Sequence, residues 1–146
     1  MDIKIKAFDE LSLNELYEIL KLRSEVFVVE QQCIYQDIDD FDQQSFHLFA
    51  SIENQLVAYI RVLPDGLKYD CYSAIGRVLV KNEFRKNGYG IILMNEAIDF
   101  CKQNFSFPIK ISAQAYLEKF YQSLGFKIVS EPYLEDNIPH ISMVRH

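Results

Sequence analysis

The residues with the plainest chemical potential form the run R-K-N-G-Y-G, Arg85 to Gly90. Two glycines let a backbone come close to a ligand, and a helix opening after them would offer unpaired N–H groups to an anion. Arg85 and Lys86 place positive charge there in a chain that is otherwise acidic. Such a turn suits a pyrophosphate. It is not a Walker loop, because no G-x-x-x-x-G-K-[ST] is present. Nor is it the dinucleotide fingerprint, because Ile91, Ile92 and Leu93 stand where a third glycine is required. Taken alone, the run reads equally well as a glycine turn with two solvated cations.

Other titratable groups each carry two readings. Asp37, Asp39, Asp40 and Asp42 lie within six positions, either as a solvated turn or as an attractive field for a cation. His47 and His140 fall in strand-like segments, where hydrogen-bonded packing competes with catalysis. Cys33 has no basic neighbour to make a thiolate, so it reads as a packed thiol. The cysteines (Cys33, Cys71, Cys101) and histidines (His47, His140, His146) show no C-x-x-C pair and no metal-ligand spacing. Three unpaired thiols point to the cytoplasm.

The elements that must position these groups follow from periodicity. Ile3, Ile5 and Ala7 alternate as a first strand. Ser12 and Glu15 make a capping box ahead of a stripe of Leu13, Leu16, Tyr17 and Leu20, and the helix is carried to about Val28. A second short helix is placed near residues 30–36. Phe46 to Ile52 and Leu56 to Val62 alternate around a Glu53-Asn54 turn, and Ser73 to Lys81 reads as a third strand of that series. Gly76 inside it marks a bulge or a close approach. Tyr89, Leu93, Ala97, Phe100 and Cys101 form a helical stripe, and Ile109, Ile111 and Ala113 a strand. Tyr116, Leu117, Phe120 and Leu124 form another helical face, capped by Gly125. Tyr116, Phe120 and Leu124 are assigned to the core. Phe126 to Ser130 starts a strand, and Ile141 and Met143 belong to a last one. The order β-α-β-β-β-α-β-α-β-β is a mixed α/β sheet.

With 146 residues, one domain covering 1–146 is expected, and it needs no disulfide staple. Apolar residues make 49% and charged residues 25%, the balance of a globular chain. The net charge of −6 argues against nucleic acid or an anionic membrane as chief partner. No segment reaches the ~18 apolar residues of a membrane span. Monomer and homodimer both stay open.

The run R-x-x-G-x-G between strand and helix, followed by F-Y-x-x-x-G-F (Phe120 to Phe126), resembles the GNAT N-acetyltransferase superfamily. Three blocks make the resemblance closer. They are L-R-x-x-V-F-V-V-E-Q-x-C-x-Y-x-D-x-D-x-x-D (Leu22 to Asp42), G-R-V-x-V (Gly76 to Val80), and A-Q-A-Y-L-x-x-F-Y through Y-L-E-D-N-I-P-H-I (Ala113 to Ile141). Together they are similar to the ElaA-like branch. The resemblance implies a mostly antiparallel sheet splayed at a cofactor site, with flanking helices, and acetyl-CoA as co-substrate with no metal.

By the same resemblance, Arg85, Lys86, Asn87, Gly88, Tyr89 and Gly90 wrap the pyrophosphate, and Val78, Leu79 and Val80 pair with the pantetheine. Gly76 marks the splay. Gln114 stands where relatives place Asn, and Tyr121 faces the CoA sulfur. Asn137 replaces an expected Gly in a turn that Asn tolerates.

The implied reaction is acetyl transfer to a small-molecule or peptide amine by direct attack. The alternative is an acyl-CoA sensor without turnover. An amine titrating near ~10.4 must shed a proton. The candidates to relay it are Glu30, Asp37, Asp39, Asp40, His47 and His140, and the sequence does not choose among them.

Overall fold

The computed structural model describes Met1–His146 throughout. Strand β1 (Asp2–Ala7) leads to helix α1 (Leu13–Arg23). The Ser12 Oγ accepts from the Glu15 N–H at 3.0 Å, and the Glu15 carboxylate accepts from the Ser12 N–H at 2.9 Å, so two donors at the helix start are satisfied reciprocally. The helical run ends at Glu30, close to the expected end at about Val28. Its last part, Ser24–Glu30, has the wider π spacing, and no second helix forms in 31–36. Gln32 has a φ of +52° there, which breaks helical continuation.

Strands β2 (Phe46–Ile52), β3 (Gln55–Leu63) and β4 (Ser73–Val80) form an antiparallel meander. Period-2 alternation sends Leu48, Ala50, Ile60 and Val62 to one face, where they pack with Leu93, Met94, Ala97 and Ile98. Those four come from helix α2 (Tyr89–Asn104). Phe49, Tyr59 and Leu79 face the other way, onto Ile19, Leu22, Val26 and Phe27. The β-branched run Val26–Val29, ambiguous in sequence, is helical because this second core buries one side of it.

Beyond α2 come β5 (Ile109–Gln114), the short helix α3 (Glu118–Ser123), β6 (Lys127–Ile128), β7 (Tyr133–Glu135) and β8 (Ile138–Arg145). The sheet runs β1-β2-β3-β4-β5-β8-β6, with β7 also on β8. Only β4 and β5 are parallel, joined by the α2 crossover. This is a mixed α/β fold with a mostly antiparallel open sheet and flanking helices.

Two expectations are corrected, and a third, a last strand holding Ile141 and Met143, is met and extended. The strand expected over Phe126–Ser130 pairs only at Lys127 and Ile128. The last strand begins at Ile138 and has a hairpin partner, β7, that periodicity did not reveal. Its turn, Asp136-Asn137, has φ of +51° and +63°, the left-handed pair that suits a two-residue hairpin. Tyr116 is not in the core. It is 75% exposed, because the chain turns at Ala115–Leu117 before α3 begins.

Candidate active site

Strands β4 and β5 touch only at Ser73–Ile109 and Ala74–Lys110, then separate. An irregularity in the pairing of β3 with β4 lies where β4 and β5 part. Tyr59 pairs with Leu79 while Arg61 pairs with Gly76, so Arg77 and Val78 together oppose Ile60 in a β-bulge. The left-handed residue of that bulge is Arg77, with φ +50°, rather than Gly76.

The gap opens into a cavity of about 630 Å³. Its walls include Val78, Leu79 and Val80 on β4, Ser112 and Gln114 on β5, and Tyr121 on α3. The Lys81 N–H donates to the Val57 carbonyl on β3 at 2.7 Å. Strand alternation therefore turns the Val80 backbone groups away from β3 and toward the gap.

At one end of the cavity lies the Arg85–Gly90 turn. Arg85 is committed to protein: Nε donates to the Val80 carbonyl at 2.8 Å, and its two terminal nitrogens bond Glu30 at 2.6 and 3.1 Å. Asn87 is turned out of the cavity lining, its amide donating to the Phe84 and Arg85 carbonyls at 3.1 and 3.2 Å. Both side chains brace the turn. Lys86 is left-handed with φ +67°, as is Gly88 with φ +80°. A Cβ built on Gly88 would meet nothing within 4 Å, so backbone conformation and open approach both favour glycine there. The N–H groups from Lys86 to Ile91 reach no acceptor in the protein; the first engaged one is Ile92, on the Gly88 carbonyl at 3.3 Å.

Tyr121 lines the cavity yet is only 6% exposed. Phe120 and Phe126 meet its ring edge-on, with centroids 5.0 and 6.0 Å away. Burial pushes its phenol well above the ordinary tyrosine range, with Tyr116 adding to the effect. Gln114 reaches Gln31 at 3.4 Å.

The β7–β8 hairpin forms another part of the cavity wall. His140 lines the cavity, its Nδ1 2.7 Å from the Ile138 carbonyl and its Nε2 3.3 Å from the Glu135 carboxylate. Tyr133 stacks on the ring at 6.3 Å and 23°. Glu135 was not singled out from the sequence. The signal was the Asp136-Asn137 turn, which pairs Glu135 with Ile138 and Tyr133 with His140.

The other relay candidates lie elsewhere. Asp37, Asp39 and Asp42 are neither a solvated turn nor a free field. Arg23 bonds Asp37 at 2.9 Å and Asp42 at 2.7 Å, Arg61 bonds Asp39 at 2.7 Å and Asp42 at 2.9 Å, and Arg77 bonds Asp37 at 2.8 Å. The Arg61 Nε–H is the one buried side-chain donor left without a partner. Burial would raise Asp39 and Asp42, but the guanidiniums hold both below the usual carboxylate range.

Asp40 is exposed and outside the lining. His47 is fully buried, donating from Nε2 to the Asp42 carbonyl at 2.9 Å and accepting at Nδ1 from the Tyr59 hydroxyl at 2.6 Å. Of the six candidates only Glu30 and His140 reach the cavity, and Glu30 is paired with Arg85. Cys33 is buried against the Asp136 carbonyl at 3.5 Å, a packed thiol.

The model of the acetyltransferase (GNAT) domain matches residues 9–146. Protein ElaA of Escherichia coli is 43% identical over 139 residues, covering 93% of this chain and 90% of that one. The crystal structure of ElaA superposes with a TM-score of 0.93 at 41% identity, covering 100% of both chains. An acyl-CoA N-acyltransferase from Pseudomonas aeruginosa gives 0.92 at 42% identity, again over 100% of both. An aminoglycoside 6'-N-acetyltransferase complexed with coenzyme A shares the fold at 18% identity, with a TM-score of 0.73 over 97% of this chain and 96% of that one. On the family match over residues 9–146 and these ElaA-like relatives, the chain belongs to the GNAT acetyltransferases, a family that uses acyl-CoA.

Proposed function

We propose that residues 1–146 form one N-acetyltransferase domain that moves the acetyl group of acetyl-CoA to a primary amine by direct attack. The observation that carries this reading is the run of free N–H groups, Lys86 to Ile91, at the mouth of the split between β4 and β5. Consecutive donors at the start of a 16-residue helix suit a pyrophosphate. Lys86 adds charge, while Arg85 and Asn87 hold the turn in shape.

The pantetheine arm would lie along Val78–Val80, taking backbone bonds from the unpaired edge, with Gln114 across the gap. Holding the thioester beside the amine supplies much of the rate, because attack becomes effectively intramolecular. Negative charge develops on the carbonyl oxygen, and a β4 N–H beside the bulge is its donor.

Tyr121 then meets the departing sulfur. Its phenol is pushed upward by burial, so it stays protonated and serves as a hydrogen-bond donor rather than a full proton source. The sensor alternative uses the same loop but assigns no task to that buried hydroxyl. The three free cysteines support a cytoplasmic setting.

The test is thiol release from acetyl-CoA across a panel of primary amines. Amine-dependent release supports transfer. Binding of acetyl-CoA with no release above the hydrolytic background for any amine would leave the sensor reading.

A further inference from the structure

Two hydrogen-bond acceptors face each other on the β7–β8 wall of the cavity. The Ile138 carbonyl, 2.7 Å from His140 Nδ1, can only accept, so Nδ1 carries the ring's proton. In the neutral ring Nε2 is then a bare acceptor. It points at the Glu135 carboxylate 3.3 Å away, also an acceptor. The contact is satisfied only when a proton or a cationic N–H lies between them. Both groups line the cavity, and Glu135 remains 46% exposed, open to incoming solute. The stack of Tyr133 and the main-chain bond leave the ring little freedom to turn away.

We infer that His140 is the base that takes the proton from the ammonium form of the acceptor, with Glu135 as its positioning residue. This rests on the acetyl-transfer reading. An ammonium R–NH3⁺ donates one proton to Nε2, and its freed lone pair attacks the thioester carbon. The C–N bond forms as the carbonyl pair moves to oxygen. When that pair returns, the C–S bond breaks and sulfur leaves with its electrons. The nitrogen's second proton passes to the thiolate through solvent, and His140 returns the first to water past Glu135. The sum is ammonium plus thioester giving amide, thiol and one proton. Glu135 stabilises the imidazolium formed in the first step, as a carboxylate does when it faces a catalytic ring.

The titratable groups around the His140–Glu135 pair come from several elements, and Lys68 and Tyr69, on the loop between β3 and β4, interact electrostatically with Glu135. Tyr133 and Asp136 come from the same hairpin as the pair, and Cys33 and Tyr35 from the segment across the cavity. Tyr121 comes from α3, and Arg77 from β4 is already paired with Asp37 and Asp39. β5 presents Ser112 and Gln114, which do not titrate. His140 is the one imidazole in that set, and its Nε2 is the ring atom open to the cavity.

The test compares benzylamine, a cation at pH 7, with O-benzylhydroxylamine, which is similar in shape and already neutral there. With benzylamine, kcat/KM of the parent should rise as His140 loses its proton and then level off. His140→Gln should instead climb about tenfold per pH unit toward the amine's own titration, and lie ~10²–10⁴ below the parent at pH 7. With O-benzylhydroxylamine, His140→Gln should stay within about threefold of the parent, since no base is needed. Glu135→Gln should move the parent's inflection to lower pH.

A retained rise in melting temperature with acetyl-CoA shows that each variant is folded. His140→Asn serves where Gln does not fold. Equal losses with both amines, or a parent-like pH profile in both His140 variants, would overturn the assignment while leaving acetyl transfer intact. No thiol release by the parent with either of these or with any other amine of the panel would overturn both.

Discussion

On one side of β4, three arginines and three aspartates neutralise one another. Arg23 is fully buried and Arg61 nearly so, and Asp37 and Asp42 are buried with them. At the far end of the same strand, the Arg85–Gly90 turn leaves its N–H groups from Lys86 onward without a protein acceptor. The first region has dense formal charge already committed to internal pairs, its one unpaired donor, the Arg61 Nε–H, being buried. The second has little net charge, because Glu30 neutralises Arg85, yet its donors are free. Binding capacity follows unpaired hydrogen-bonding groups rather than the density of charged residues. The acidic run is architecture. It ties α1 to β3 and β4, and it clamps Arg77 in the left-handed conformation that makes the bulge.

The largest effect should come from breaking the paired region. Asp42 accepts from both Arg23 and Arg61. Asp42→Asn should cost about 3–5 kcal/mol, because removing one partner strands buried charge. Urea unfolding monitored by circular dichroism would measure it. An effect below ~1 kcal/mol would mean the network behaves like a surface cluster.

The same region sets the acid limb of stability. Burial keeps His47 neutral in the folded state. The unfolded chain takes up that proton as pH falls through ~6.5, so stability begins to decline there. Asp39 and Asp42, held low when folded, add stability that is complete above ~4 and lost as pH falls further. Melting temperature against pH should therefore fall gently from pH 6.5 and steeply below 4. A flat profile from 7 to 3 would contradict the pairing.

Tyr121→Phe tests the catalytic side of the comparison. It removes one hydroxyl with no protein partner and keeps the ring between Phe120 and Phe126. Stability should change little, whereas single-turnover acetyl transfer should fall ~10²-fold with acetyl-CoA affinity unchanged. A rate within threefold of the parent would return Tyr121 to the core alone.

The smallest effect is expected at Glu30→Gln. Its pair with Arg85 leaves both side chains 36% exposed. Such pairs are worth about 0–1 kcal/mol, so melting temperature should barely move.

Much of the architecture was legible because it depends on local pattern. Ser12 with Glu15 announced the first helix, and alternation in Phe46–Ile52 announced a strand. Residue type located the glycine turn but left it open between a ligand loop and a solvated turn. Long-range pairing was not legible. Nothing in the spacing of Asp37 to Asp42 shows that Arg23, Arg61 and Arg77 converge on it from three elements. Glu135 was overlooked for a related reason: its meaning depends on a hairpin of a three-residue strand, too short to show a period. Tyr116 misled because its apolar spacing suited a helix face, while the chain makes a tight turn there instead.

The central claim is that acetyl-CoA is held by the free donors of the Lys86–Ile91 turn. Isothermal titration of acetyl-CoA into the parent, Gly88→Asn and Gly88→Glu tests it most directly. Asn tolerates the left-handed backbone of Gly88 and adds no charge. The parent should bind, Gly88→Asn should keep most of that affinity, and Gly88→Glu should lose at least about tenfold, a change of ~1.4 kcal/mol. Equal affinity in the parent and in a folded Gly88→Glu would contradict the account.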